Sequence, residues 1–185
     1  MLVAIVALKQ YSDRYGGKYR STVNRWLAKT KTDWRDKETG LLVSFLQENG
    51  RQFEDMPVKG SYTALNCYYL TLLDARMARE QYGKLKQHFW KEGWLSGLKE
   101  YYDRTCYLGF DIDAGPIFFE LSPSGTAFLA GAATFFKDTL VRNEILYTAE
   151  VAGHSFRWNS KRHYLLANAA LVGEAIMLAM RTNYK

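Results

Sequence analysis

The chain has only two cysteines, Cys67 and Cys106; they form no CxxC pair and stand beside no histidine at metal spacing. That excludes a structural zinc site. One disulfide stays open, because sequence does not fix the separation of two Cα atoms. Cys67, next to Tyr68 and Tyr69, reads as a buried thiol. Cofactor signatures are also missing: no GxGxxG follows a strand, and there is no P-loop, HExxH or EF-hand loop, so neither cofactor nor metal is expected. No apolar run reaches the roughly 20 residues that span a bilayer, so no transmembrane segment is expected. The opening MLVAIVAL has no positive residue ahead of its apolar part, makes a poor signal peptide, and reads as a first helix. A cytoplasmic location is expected if the chain is complete, and a periplasmic or membrane-associated one if it is part of a longer protein.

Nucleic-acid motifs are lacking too. The net charge is +6 and the pI near 9.2, but the basic residues, such as Lys18, Arg25, Lys84, Lys99 and Arg157, are dispersed among acids. A nucleic-acid face needs them clustered. The charge reads as a solvated surface, and no nucleic-acid partner is expected.

What is present points to one globular domain over residues 1–185. Hydrophobic residues make up 48% and charged residues 24%, which argues against disorder. A chain of this length buries about 70% of its unfolded surface. Aromatics reach 15%, which suits a large aromatic core or a ring-lined cleft for an apolar or sugar-like ligand.

Apolar spacing predicts helices over residues 2–14, ended by Gly16-Gly17, and 19–31, with Tyr19, Val23, Trp26 and Leu27 on one face. Residues 41–46 read as extended. A helix follows Gly60-Ser61, another starts at Asp74, and residues 92–108 read as loop with a helical turn. Ser122-Pro123 is an N-cap followed by proline at the first helical position. The small residues after it mark a central helix that a neighbour can approach closely. Further helices are expected over residues 139–152 and 160–181, the latter buried on more than one side along Leu165 to Met180. The total is about seven helices in antiparallel pairs, an all-α fold whose helix-loop-helix unit recurs every ~50–60 residues.

Among these helices, the segment Gly109-Phe110-Asp111-Ile112-Asp113-Ala114-Gly115-Pro116 places two carboxylates between helix breakers, as site loops do. Such a pair divides labour when its environments separate the two pKa values. Asp111 is expected to meet the ligand and Asp113 to shape the turn, as Asp often does. Tyr62, Tyr102, Tyr107, Glu120, His154 and Trp158 are the candidate ligand-binding residues. Glu120 also suits a helix N-terminus, where the dipole stabilises a carboxylate.

Gly40-Leu41-Leu42, Lys59-Gly60-Ser61, the run Asp74 to Tyr82, Asp111 to Pro116, Arg162 to Leu166 and Ala179 to Thr182 resemble, in order and spacing, the C-terminal half of bacterial (α/α) six-hairpin toroid proteins related to linalool dehydratase/isomerase. The resemblance spans nearly the whole chain. It implies inner helices forming a cup, with loops at one end forming the site. The family's Asp-x-Asp-Ser/Ala-Gly-Pro pattern is matched by Asp111, Asp113, Ala114, Gly115 and Pro116, with residues near 116–120 extended. Its Gly-Ser-Ser element is matched only in part by Gly60-Ser61-Tyr62, and the acid, cysteine, histidine and tyrosine set of the known dehydratase does not map residue by residue. A six-hairpin ring needs twelve helices, so an arc of about seven leaves apolar inner faces open and self-association is expected.

Two functions follow. One is an acid/base enzyme acting on a sugar-like or small hydroxylated ligand by hydrolysis, elimination or isomerisation. The alternative is a non-catalytic helical interaction module or a truncated toroid.

Overall fold

The computed structural model describes residues 1–164 and 167–182. Among them the helices are α1 (Leu2–Arg14), α2 (Arg20–Thr32), α3 (Gly60–Leu70), α4 (Ala75–Phe89), α5 (Pro123–Phe136), α6 (Thr139–Ala152) and α7 (Ala167–Thr182). Three two-stranded antiparallel sheets interrupt them: β1 (Trp90–Lys91) with β2 (Gly97–Leu98), β3 (Leu108–Asp111) with β4 (Gly115–Phe118), and β5 (Ser155–Trp158) with β6 (Lys161–Tyr164). The chain is mostly helical, and none of these helices is long and apolar enough to cross a membrane.

The helices pack in a regular order. Consecutive ones form the pairs α1–α2, α3–α4 and α5–α6, while the odd-numbered ones pack in series, α1 on α3, α3 on α5 and α5 on α7. α5 is the centre. Its small residues Ala127, Ala130, Ala132 and Ala133 are all buried, together with Leu129, in a core that also takes Cys67, Phe89, Ile145 and Met180.

Glycine permits the closest approaches. A Cβ on Gly131 of α5 would stand 2.5 Å from Met180 Sδ and 2.7 Å from the Tyr68 ring, where α3 and α7 close on α5. Gly131→Ala is expected to lower stability by about 1–3 kcal/mol through overpacking, read from the urea midpoint.

Several boundaries follow local chemistry. Asp74 caps α4 by accepting from Arg76 N and Met77 N. Ser122 caps α5 through Gly125 N, with Pro123 opening the helix.

Three expectations are corrected. Residues 160–164 belong to a hairpin, not to the last helix, because Asn159 and Ser160 take left-handed backbone (φ 48° and 60°) and turn the chain back. Leu165 and Leu166 lie outside the described residues, as do the side chains of residues 162–174. The expected burial along the apolar run can thus be followed only from Ala175, where Met177 and Met180 are buried and Leu178 is exposed. Residues 92–108 hold strand β2 and no helical turn, and the two-aspartate segment is a β-hairpin whose turn carries Asp113. Residues 41–46 are extended, as expected, and make the isolated bridges Arg35 to Leu42 and Leu46 to Gln52.

Candidate functional site

Lys59 is the N-cap residue of α3 and offers no side-chain cap to its helix. Its side chain reaches instead to the β3–β4 hairpin, where Nζ lies 2.8 Å from Asp111 Oδ2, 3.1 Å from Asp111 Oδ1 and 3.0 Å from Asp113 Oδ2. Asp111 Oδ1 also accepts from the N–H groups of Asp113 (2.9 Å) and Ala114 (3.0 Å), which ties the turn, and the Tyr101 hydroxyl donates to Oδ2 at 2.7 Å. Lys59 sits over the Phe45 ring at 5.4 Å, and Phe45 meets Tyr62 edge-on at 4.9 Å. The Tyr62 hydroxyl faces Asp113.

These contacts assign the protonation states. Burial works against the charge of Asp111, which is 8% exposed, but Lys59, Tyr101 and the two N–H groups outweigh it and bring the pKa down to about 2. Burial also works against the Lys59 ammonium, and the two carboxylates more than offset it, so its pKa rises. Burial and then Asp113 push Tyr62 up, so its hydroxyl keeps its proton at neutral pH.

Asp111 therefore takes a different part from the expected one. An anion already served by four groups is a poor proton donor, and it is Asp111 that shapes the turn. Asp113, with 31% of its side chain exposed, is the carboxylate open to a ligand.

The lowered pKa has a consequence for stability. The unfolded carboxyl takes its proton near 3.8, whereas the folded one keeps its charge to about 2. That gap contributes about 2 kcal/mol, fully present above pH 3.8 and lost as pH falls through about 2. In Asp111→Asn, unfolding free energy is expected to vary less with pH between about 4 and 2 than in the parent, measured by urea titration across that window.

A cleft of about 490 Å³ opens beside this cluster. Trp26, Trp34, Leu42, Phe45 and Leu65 give it apolar walls, the first residues of α1 close one side, and Tyr62 lies in its lining. Tyr62 thus belongs both to the cleft and to the acid cluster.

The other candidates do not join it. Tyr102 points away, donating to Glu38 at 3.0 Å, and burial with that bond pushes its pKa up to about 12. Its neighbour Tyr101 is the one at the acids. Tyr107 is exposed and stacks edge-on against Phe119. Glu120 pairs with Lys91, while Ser122 does the capping of α5. His154 is exposed at the end of α6, and Trp158 is exposed on the β5–β6 hairpin. Both cysteines are free, and burial pushes the Cys67 thiol well up, out of the range of a nucleophile at neutral pH.

The residue that the sequence did not mark out for this cluster is Lys59. Lys59 stood within a quoted motif but was given no role. Among the described residues no group of three or more His, Cys, Asp or Glu gathers as metal ligands do, and the Lys59 ammonium occupies the place between Asp111 and Asp113. In comparisons with known proteins, the chain matches no family profile, and no curated protein matches it.

Proposed function

We propose that the chain is an acid/base enzyme that acts on a small hydroxylated ligand held in the Trp26–Trp34–Phe45 cleft. The observation that carries this reading is Tyr62, which lines the cleft and faces Asp113. A protonated phenol donates to the ligand oxygen while Asp113 accepts a proton. Lys59 and Asp111 hold Asp113 in place, and the aromatic walls stabilise positive charge that develops on the ligand. Hydrolysis, elimination and isomerisation all begin with such a step. Tyr62→Phe and Asp113→Asn are each expected to lower turnover about 100-fold or more. Turnover by mass spectrometry on a panel of small alcohols and glycans checks this, with stability compared by urea titration.

We further propose that the fold is an arc of an (α/α) toroid, as the resemblance implies. The serial packing of α1, α3, α5 and α7, with α2, α4 and α6 each paired with the helix before it, supports it. So does the position of the cleft and acid cluster at the starts of α1 and α3.

A second reading, an interaction module that self-associates, rests on the outer face of the β3–β4 hairpin. Leu108 is 66%, Phe110 76% and Ile112 89% exposed. Apolar side chains so grouped mark interaction surfaces. Phe110→Asp with Ile112→Asp is expected to leave a monomer where the parent associates, measured by sedimentation.

A further inference from the structure

Glu100 is fully buried (0%) and does not line the cleft. Its carboxyl accepts from Ser61 N at 3.2 Å and Ser61 Oγ at 2.9 Å, and its backbone carbonyl accepts from Gly60 N at 2.9 Å. Gly60 and Ser61 carry the first N–H groups of α3, which have no partner within the helix. Glu100 supplies from outside the cap that Lys59 does not. The Lys59 ammonium has no acceptor with which to cap, and it reaches the aspartates instead.

The same carboxyl lies beside the Ser122 hydroxyl at the start of α5. Two residues on, Ser124 Oγ donates to Ala114 O at 3.0 Å, and Ala114 N is one of the groups that hold Asp111. The next residue after Glu100, Tyr101, donates directly to Asp111. Both halves of the cluster, Lys59 with Tyr62 on α3 and the aspartates on the hairpin, are therefore registered against residues 100 and 101.

We propose that Glu100 is a positioning residue: by joining the starts of α3 and α5 it sets Lys59 and Tyr62 against the Asp111–Asp113 turn. It touches no ligand. The inference rests on reading that turn as part of the site, but its test needs no substrate. Burial raises the pKa of Glu100, partly offset by the Ser61 and Ser122 donors. An acid kept only for packing would be replaceable by glutamine with no effect beyond the fold's overall stability.

The test is residue-resolved amide hydrogen exchange by NMR on the full chain, read at Asp113 and Ala114, whose N–H groups are bound only while Asp111 stays in register. Glu100→Gln keeps the shape but leaves one acceptor oxygen where the carboxylate offers two, so the Ser61 N–H and the Ser61 and Ser122 hydroxyls can no longer all donate to it. It is expected to speed exchange at both positions about tenfold, with α2 and α6 amides unchanged. Ser61→Ala, which deletes one donor and leaves the carboxyl in place, is expected to give a smaller acceleration at the same two positions. It serves alone if the glutamine variant does not fold. Exchange at Asp113 and Ala114 unchanged in these variants overturns the proposal. So does acceleration spread evenly over the chain, as the buried core variant Leu129→Ala would produce. If the exchange changes as expected while Asp113→Asn retains turnover, the positioning role stands and the assignment of Asp113 as proton acceptor falls.

Discussion

Lys59→Met is expected to destabilise the fold by about 3 kcal/mol at neutral pH, because it strips a buried carboxylate of its counter-charge and leaves the rest of the site in place. Asp111 is buried and Lys59 nearly so, and their Nζ–Oδ contacts are 2.8 and 3.1 Å. Without the ammonium, Asp111 keeps only Tyr101 and two backbone donors. Its pKa should climb from about 2, moving acid unfolding to higher pH. The double variant Lys59→Met, Asp111→Asn should recover part of the loss, since no buried unpaired charge remains and Asp113, which also loses its lysine, is 31% exposed to water. Urea midpoints of the two single variants and the double variant measure the coupling. Additive losses would mean that the two side chains act independently.

Gly60→Ala is expected to cost at least as much. A Cβ there would stand 2.0 Å from the Lys99 carbonyl oxygen and 3.1 Å from Lys99 C and the Phe89 ring. The first of these atoms is backbone, so α3 must withdraw from the strand-like segment that carries Glu100 and Tyr101. That movement would break the Gly60 N to Glu100 O bond and displace Lys59. A loss of about 3 kcal/mol or more is expected, or failure to fold. Gly83 makes the contrast. It lies inside α4 and a Cβ there meets nothing within 4 Å, so Gly83→Ala should stabilise by about 0.5–1 kcal/mol through helix propensity alone. Thermal and urea unfolding of the two alanine variants side by side checks both signs.

Much of the helical framework is legible in the sequence because the signals are local. The ends of α1 and α6 fall where apolar spacing and glycine place them, and Asp74 and Ser122 cap as their residue types suggest. The β5–β6 hairpin is not so readily seen. Its turn at Asn159-Ser160 is short, and the apolar run that follows extends the helical pattern backward across it. Asparagine at such a turn was the available signal.

At the site, the two aspartates are visible as a motif, but their division of labour is not. Asp111 accepts from the N–H groups two and three residues on, the bonding of an Asx turn, and this tendency could have assigned it the structural part. Tyr101 and Tyr102 look equivalent in the sequence. The chain bends from Tyr102 on, and the two hydroxyls part, one reaching Asp111 and the other Glu38. Glu100 carries no local signal at all. Its burial comes from α3 and α5 closing over it, contacts between residues far apart in the chain.

Asp113 and Tyr62 are proposed to do chemistry on a ligand in the adjoining cleft. Turnover of a panel of small alcohols and glycans by the parent chain and by folded Asp113→Asn tests it most directly, with products followed by mass spectrometry. The expected result is a compound that the parent converts and the variant converts about 100-fold more slowly or not at all. Equal conversion by the two proteins would contradict it.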